Sequence, residues 1–366
     1  MDAQLRLAAG GAMAMRDRER RGVVLRRRWL AASATAWLLL ISPAAANQPA
    51  VVPHAEGLDV AIAAARDLPR LHSLLVSRRG SLVVERYFNG ARAQRPANVK
   101  SVSKSVISAL VGLAIERRQI DGVGQPIWSF FPDLQKGGDA RKRQITIEDL
   151  LTMRSGLEST SNRNYGAWVL SRNWVQFALN RPMLADPGTT MDYSTGNTHL
   201  LSAILTKATG ASTWQFAQKA LGGPLGISLP QWPRDPQGIY FGGNDMLLTP
   251  RQMVAFGELY LNRGRVGDRQ VLPAAWVDAS LEPRGRSQWS EQQYGYGWWI
   301  RDLAGHHSYN AWGYGGQFIF VVPDLQLVVV TTSSTATGEE RRGHRRTVLD
   351  VVERFVVPAV AASASR

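Results

Sequence analysis

Cysteine is absent from the 366 residues of this chain. Its absence excludes disulfide bonds, cysteine nucleophiles and zinc or iron–sulfur sites with cysteine ligands. Histidine is scarce, and none of the six histidines forms a His-Glu-x-x-His or similar ligand spacing. The sequence also lacks a P-loop and a G-x-G-x-x-G helix start. We therefore predict no metal ion and no cofactor.

Lysine is rare beside arginine, because only six of the 43 basic residues are lysine in a chain of formal net charge +14. A strongly basic protein can bind nucleic acid through its phosphates. Here the basic residues are spread out, apart from clusters at 26–28, 141–143 and 341–346. No helix-turn-helix, RNP-type or zinc-finger pattern accompanies them. The charge therefore does not predict a nucleic-acid partner.

Apolar runs long enough to span a bilayer comfortably are also missing, since the run at 29–41 has only 13 residues. It follows a basic stretch, Arg16 to Arg28, and precedes the small residues Ala44–Ala46, as signal peptidase requires. We predict that residues 1–46 are an export signal, cut after Ala46, for a periplasmic or secreted protein without a membrane segment. Residues 26–30 also resemble a twin-arginine signal. An uncleaved membrane anchor is the alternative.

The remaining sequence has the pattern of a mixed α+β protein. Two β-like runs at 74–77 and 82–88 predict a hairpin, and four more strands are predicted between 296 and 332. Apolar periodicity predicts helices between these strands, among them one over 168–179 and one over 250–263. The terminal strands would join in one antiparallel sheet flanked by helices, with an inserted, mostly helical lobe.

This pattern divides the chain after the signal into three segments. Residues 47–120 would form the first part of an α/β sheet domain and carry a helix over 101–118. Residues 121–285 would form the helical lobe. Residues 286–366 would supply the C-terminal strands and an end helix that complete the sheet domain.

Ser101 and Lys104 lie three residues apart at the predicted start of the helix over 101–118, so their side chains share one face. A serine hydroxyl becomes a nucleophile when a base removes its proton, and a buried lysine with a lowered pKa can be that base. The free N–H groups and positive dipole end of the helix would favour negative charge forming there. The alternative is a solvated helix start without chemistry.

Two further segments could complete such a site. Tyr193 precedes a helix predicted from Thr198 and could transfer protons beside Lys104, or could simply pack as an aromatic. The run 310–317 (NAWGYGGQ) lies between two predicted strands, where glycines allow a substrate to lie against the backbone. One N–H group there, paired with that of Ser101, would make an oxyanion hole. A glycine-rich hairpin turn is the alternative.

With these motifs in this order, the chain resembles the serine β-lactamase and penicillin-recognising superfamily. The resemblance is to the class C-like branch, which includes D,D-peptidases, family VIII-type esterases and hydrolases of 6-aminohexanoate oligomers. The segments 146–157 (TIEDLLTMRSGL) and 294–299 (YGYGWW) look like further parts of that pattern. The resemblance covers residues 70–335 and implies a β-lactamase/transpeptidase-like fold.

The resemblance also implies roles for individual residues. Ser101 would be the nucleophile, Lys104 the general base and Tyr193 the proton relay, with the backbone N–H groups of Ser101 and Tyr314 as the oxyanion hole. The implied reaction is acyl transfer through an acyl-enzyme that water cleaves. As substrate-binding candidates we take Asn197, Tyr165, Trp312 and Gly313.

Two departures from the class C pattern bear on the substrate. Thr195 stands where class C β-lactamases carry Asn two residues after the Tyr, with Asn197 two residues further on. Ala311 stands where a Lys or His begins the late motif, so the cation for a β-lactam carboxylate is missing unless an Arg or a His, such as His306 or His307 in a predicted turn, replaces it.

The departures favour a hydrolase of a small amide or ester. A β-lactamase or D,D-peptidase is the second hypothesis, and a catalytically silent sensor domain is the third. The expected partner is a small-molecule substrate. The sequence indicates neither the acyl group nor the oligomeric state.

Overall fold

A computed structural model describes residues 57–135, 138–338 and 341–364 of the chain. The predicted export signal over 1–46 lies outside these described residues. Within them, no helix combines the length and the hydrophobicity needed to cross a membrane.

The N-terminal part supplies a hairpin and the helix of the first motif. Its elements are α1 (Leu58–Arg66), β1 (Leu71–Arg78), β2 (Ser81–Tyr87), β3 (Ala97–Asn98), a 3-10 turn (Lys100–Val102) and α2 (Ser103–Glu116). The predicted hairpin is confirmed as β1 and β2, which pair antiparallel. Arg79 and Gly80 connect them with positive φ, as a two-residue turn that follows the strand twist requires.

The middle part is mostly helical. Its elements are α3 (Ile147–Leu151), α4 (Tyr165–Val169), α5 (Trp174–Leu179), α6 (Thr195–Thr209), α7 (Thr213–Ala217), β4 (Leu247–Leu248), α8 (Pro250–Leu261), β5 (Arg265–Val266), β6 (Arg269–Gln270) and α9 (Ala274–Leu281). The prediction of one helix over 168–179 is wrong, because the Asn173 side chain accepts the Gln176 N–H and starts a separate helix. The predicted start of α8 is confirmed, with Thr249 as its N-cap.

The C-terminal part contains most of the sheet. Its elements are β7 (Gly285–Arg286), β8 (Gln293–Tyr294), β9 (Trp299–Leu303), β10 (His306–Gly313), β11 (Gln317–Val322), β12 (Leu327–Ser333), α10 (His344–Val351) and α11 (Val357–Ala364), the two helices being joined by a π-helical turn. His306 and His307 were predicted in a turn but begin β10. The turn precedes them, at Ala304 and Gly305, which both have positive φ.

Eight strands form one sheet in the order β2-β1-β12-β11-β10-β9-β8-β7, and all neighbouring strands are antiparallel. Side chains of β12 alternate between two apolar layers. Val328 and Val330 pack on the side of α8, whereas Leu327 and Val329 pack with α1, α10 and α11. Both faces are covered, so the central strands are continuous apolar runs. The predicted α+β class, a helix-flanked antiparallel sheet, is confirmed.

The described residues belong to one compact unit, so the segment boundaries at 120 and 285 stay predictions. α8, which falls in the segment assigned to the lobe, packs on β1, β11 and β12. The lobe itself is centred on α6, which α2, α3 and α5 contact. α2 also contacts β10. The first motif therefore lies at the junction of sheet and lobe.

Candidate active site

Ser101 and Lys104 meet at the start of α2. Ser101 lies in the 3-10 turn that precedes the helix, and Lys104 lies in the first helical turn. The Nζ atom of Lys104 is 3.0 Å from the Oγ atom of Ser101. Lys100 has a φ of 51°, and its N–H donates to the Oδ1 atom of Asn98 at 3.1 Å, which fixes the backbone just before the serine.

Lys104 is buried, with 2% of its surface exposed. Its Nζ atom donates to the Gly243 carbonyl at 2.5 Å and lies 3.4 Å from the Oγ1 atom of Thr195. Neither acceptor carries a charge. Burial lowers the pKa of Lys104 from 10.5 to about 7, although the Asp245 carboxylate acts in the opposite direction. At neutral pH a large fraction of the amine is therefore unprotonated and able to accept a proton.

Tyr193 completes the cluster from the segment before α6. The Nζ atom of Lys104 lies 4.9 Å from the centre of its ring, and the Ser101 side chain is near enough to the Tyr193 hydroxyl to influence its pKa. Burial raises the pKa of Tyr193 well above its usual value, which keeps the phenol neutral. Trp299 stacks on the ring at 5.6 Å between centroids and holds its orientation. The structure thus brings all three residues together.

α6 begins at Thr195, three residues before the predicted start, because a distant loop caps it. The Ser161 hydroxyl accepts the Thr195 N–H at 2.9 Å, and the Thr160 hydroxyl accepts the Gly196 N–H at 2.7 Å. Sequence reasoning missed Ser161 and Thr160, since neither is near Thr195 along the chain. The cap sets Thr195 beside Lys104.

Asn197 does not reach the site, contrary to the expectation that it contacts substrate. Its side chain is buried, and its Oδ1 atom accepts a hydrogen bond from the Ser155 hydroxyl at 3.1 Å. Asn197 lies two residues along α6 from Thr195 and therefore on a different face of the helix. Thr195 alone of the two lines the cleft.

Ser101 and Tyr314, whose N–H groups are predicted to form the oxyanion hole, both line the same cleft. Gly313 brings the end of β10 against the backbone before Ser101. A Cβ atom at position 313 would lie 2.2 Å from the Val99 carbonyl oxygen, so a larger residue would push the strand away. Gly313 thus acts by permitting close approach, and it does not itself line the cleft.

The turn after Gly313 is tied to the neighbouring strand. Gln317 donates from its Nε2 atom to the Ser333 carbonyl at 2.8 Å and accepts the Ser333 N–H at 3.0 Å. The Thr331 hydroxyl donates to the Gly316 carbonyl at 3.0 Å. These bonds, all buried, hold the backbone of Tyr314 in place without using its own side chain.

The cleft has a volume of about 450 Å³ and an aromatic wall. The aromatic residues in the wall are Tyr165, Tyr193, Trp289, Trp299, Trp312 and Tyr314. The structure therefore places Tyr165 and Trp312 where sequence reasoning expected them. Trp289, which that reasoning missed, is 93% exposed in the loop between β7 and β8 and stands at the rim.

A cation reaches the cleft from α10. The Arg345 guanidinium lies 4.7 Å from the centre of the Trp312 ring and lines the cleft, whereas Ala311 is fully buried. His306 and His307 do not serve as the replacement cation. They lie at the opposite end of β10, about 17–20 Å from Trp312 at about 3.3 Å per residue. In the sequence, the basic cluster at 341–346 was the one feature that drew attention to the region of Arg345, and it did not indicate a position in the cleft.

His199 is buried and is linked through the backbone at 242–243 to the amine of Lys104. Its Nε2 atom lies 3.0 Å from the Oδ2 atom of Asp235, and its Nδ1 atom accepts the Gly242 N–H at 3.4 Å. The next carbonyl, that of Gly243, holds the amine of Lys104. In the described part of the chain, no three His, Asp or Glu side chains are grouped so that they could hold a metal ion.

Known proteins share this architecture. Residues 69–353 match the family model described as Beta-lactamase. The 6-aminohexanoate-dimer hydrolase of Paenarthrobacter ureafaciens is 26% identical over 298 residues, which cover 73% of each chain. Among solved structures, EstCE1, a hydrolase with promiscuous acyltransferase activity, is 18% identical with a TM-score of 0.63, over 83% of this chain and 98% of that one.

The octameric penicillin-binding protein homologue from Pyrococcus abyssi is also 18% identical, with a TM-score of 0.62, over 81% of this chain and 76% of that one. At such identities the solved structures show a shared fold and no more. The family match spans most of the chain. This chain therefore belongs to the beta-lactamase family of serine hydrolases.

Proposed function

We propose that this enzyme hydrolyses a small amide or ester through an acyl-enzyme on Ser101. The observation that carries the proposal is the 3.0 Å contact between the Ser101 hydroxyl and an amine whose pKa is lowered to about 7. Lys104 accepts the hydroxyl proton while the oxygen attacks the substrate carbonyl. The N–H groups of Ser101 and Tyr314 bind the oxyanion that forms.

Tyr193 passes the proton onward. Its neutral phenol donates to the leaving nitrogen or oxygen and is reprotonated by Lys104, so the leaving group departs neutral and the acyl-enzyme remains. A water molecule then attacks the ester carbonyl and gives its proton to the same base. The carboxylic acid is released, and the proton returns to the Ser101 oxygen.

Amides and esters are favoured over β-lactams by two observations. Position 311 carries a buried alanine in place of a cation, and the curated relative is named for hydrolysis of 6-aminohexanoate dimer. The aromatic cleft suits a substrate with an apolar chain. For the location of the enzyme, we propose export directed by residues 1–46, on the sequence features alone.

A β-lactamase or D,D-peptidase activity is the second candidate, favoured by Arg345 alone. Its guanidinium in the cleft offers a partner for a substrate carboxylate. The third candidate, a silent sensor domain, is disfavoured because Ser101, Lys104 and Tyr193 are all kept in contact.

The test is a fluorophosphonate label followed by a substrate panel. We expect the label on Ser101 of the folded chain, its loss in Ser101→Ala, and its retention in Ser129→Ala, which changes an exposed serine outside the cleft. Nitrophenyl butyrate, 6-aminohexanoate dimer, nitrocefin and D-Ala-D-Ala peptides are then compared. Faster turnover of nitrocefin or the peptides than of the ester and the dimer selects the second candidate. An unlabelled, folded wild type contradicts any acyl-enzyme.

A further inference from the structure

A second cavity, of about 390 Å³, shares no lining residue with the active-site cleft. Its walls come from the start of β1, the segment 89–98 after β2, Pro250, and the segment 332–336 at the end of β12. The volume lies within the range of about 300–1,000 Å³ that is typical of small-molecule sites. No step of the proposed reaction uses it.

Among the residues that the structure describes, the titratable side chains that line this cavity are Tyr87, Arg92, Arg95 and His72, and none of them is a carboxylate. Throughout the described residues, no ion pair or side-chain hydrogen bond engages the guanidinium groups of Arg92 and Arg95. Burial lowers the pKa of His72, and the charges of Arg95 and Arg70 lower it further, which keeps this imidazole neutral near pH 7.

Nearby groups do not neutralise these two guanidinium groups. Tyr87, in the wall, donates to Glu85, but that carboxylate is already paired with Arg251 through two bonds of 2.7 and 2.6 Å. Arg70, which is 6% exposed, donates to the carbonyl groups of Ser334 and Ala336 behind the wall and adds a further positive charge. Arg92 and Arg95 are both exposed, so water screens their mutual repulsion and leaves the two guanidinium groups available to an anion.

We propose that this cavity, the basic pocket (His72, Arg92, Arg95, Ser334 and Thr335), binds a phosphate group. Two guanidinium groups match the oxygen geometry of a phosphate, and the hydroxyl groups of Ser334 and Thr335 add neutral donors. The cavity is larger than a bare phosphate needs, so it also has room for the organic part of a phosphate monoester. The ligand is then either inorganic phosphate or a small phosphate ester.

The test is calorimetric titration of the full chain with sodium phosphate at constant ionic strength, together with thermal unfolding. We expect one saturable site and a raised Tm. The double variant Arg92→Gln/Arg95→Gln should lose affinity by about tenfold or more. The matched control Arg265→Gln/Arg269→Gln removes the same charge from the exposed β5–β6 hairpin and should bind as the wild type does.

Two further arms locate the site and identify the source of the phosphate. The Arg345→Gln variant should bind phosphate with the affinity of the wild type, because the Arg345 guanidinium lies in the cleft and not in the basic pocket. Loss of phosphate binding in this variant would overturn the proposal. Glycerol 3-phosphate binding more tightly than phosphate supports an ester, whereas equal binding supports the free ion. The basic pocket is refuted if no saturable phosphate site is found, or if both double variants lose the same phosphate affinity. Neither result bears on the proposed role of Ser101.

Discussion

Replacing Lys104 by methionine should stabilise the fold while it abolishes the proposed activity. Burial lowers the pKa of the Lys104 amine and so makes it a base. The same burial destabilises the folded state wherever the amine is protonated in the unfolded chain, because folding must then either bury the charge or release the proton. Its pKa is near 10.5 when exposed and about 7 in the fold. That difference corresponds to about 5 kcal/mol. Methionine has a similar length and no charge to bury.

The sign and the pH window follow from proton uptake. Between about pH 7 and pH 10.5 the unfolded chain holds a proton that the folded chain has released. The free energy of unfolding of the wild type therefore rises with pH, by about 1.4 kcal/mol per pH unit from this group. Below pH 7 the full penalty remains, and above pH 10.5 it is gone. The advantage of the methionine variant is thus largest at low pH and fades toward pH 10.5.

The contacts that methionine loses, to Ser101, Thr195 and Gly243, subtract about 1–3 kcal/mol to first order at every pH. Their loss lowers the stability of the methionine variant by a constant amount and does not change how the difference in unfolding free energy depends on pH. Urea unfolding of both proteins at about pH 6, 8 and 10 measures the difference, which should shrink by about 4 kcal/mol across that range. Ser101→Ala, which keeps the amine, should follow the wild type. A difference that stays constant with pH would refute the lowered pKa.

Three other outcomes test the site. The kcat/KM for the proposed reaction should rise with a midpoint near pH 7, and Lys104→Arg should be inactive at every pH because a guanidinium keeps its proton; an active arginine variant removes this base from the mechanism. Gly313→Ala should lower kcat by about tenfold or more, because its Cβ would meet the Val99 carbonyl, while Gly122→Ala, in open space, should not. Arg345→Gln should raise KM for an ester with a terminal carboxylate and leave KM unchanged for a neutral ester of equal size; equal changes would contradict its role.

Features set by neighbouring residues could be predicted from the sequence. The strand over 317–322 is one of those predicted between 296 and 332, because an unbroken apolar run between turn residues specifies a strand covered on both faces. The Ser101–Lys104 contact follows from three-residue spacing on a helical turn. The cap of α8 at Thr249 also depends only on local sequence.

Features set by distant residues could not be predicted. The start of α6 depends on hydroxyl groups 34 and 36 residues away. Arg345 reaches the cleft from the last helical segment, and no local pattern links it to Trp312. Asn197 lies so near Tyr193 along the chain that it suggested a shared site, but the turn of α6 directs it to Ser155 instead. Spacing along the chain specifies which residues share a helix face, but it does not specify which distant residues pack against that face.

The position of β12 in the sheet has a consequence for how the chain folds. Among the described residues this strand is the last along the chain, yet it lies between β1, the first of them, and β11. Until residue 333 has left the ribosome, β1 has only its hairpin partner, and no native sheet joins the two ends. Such long-range pairing delays folding. A nascent chain therefore stays unassembled for most of its synthesis, and a truncation before β12 should leave two open sheet edges prone to aggregation.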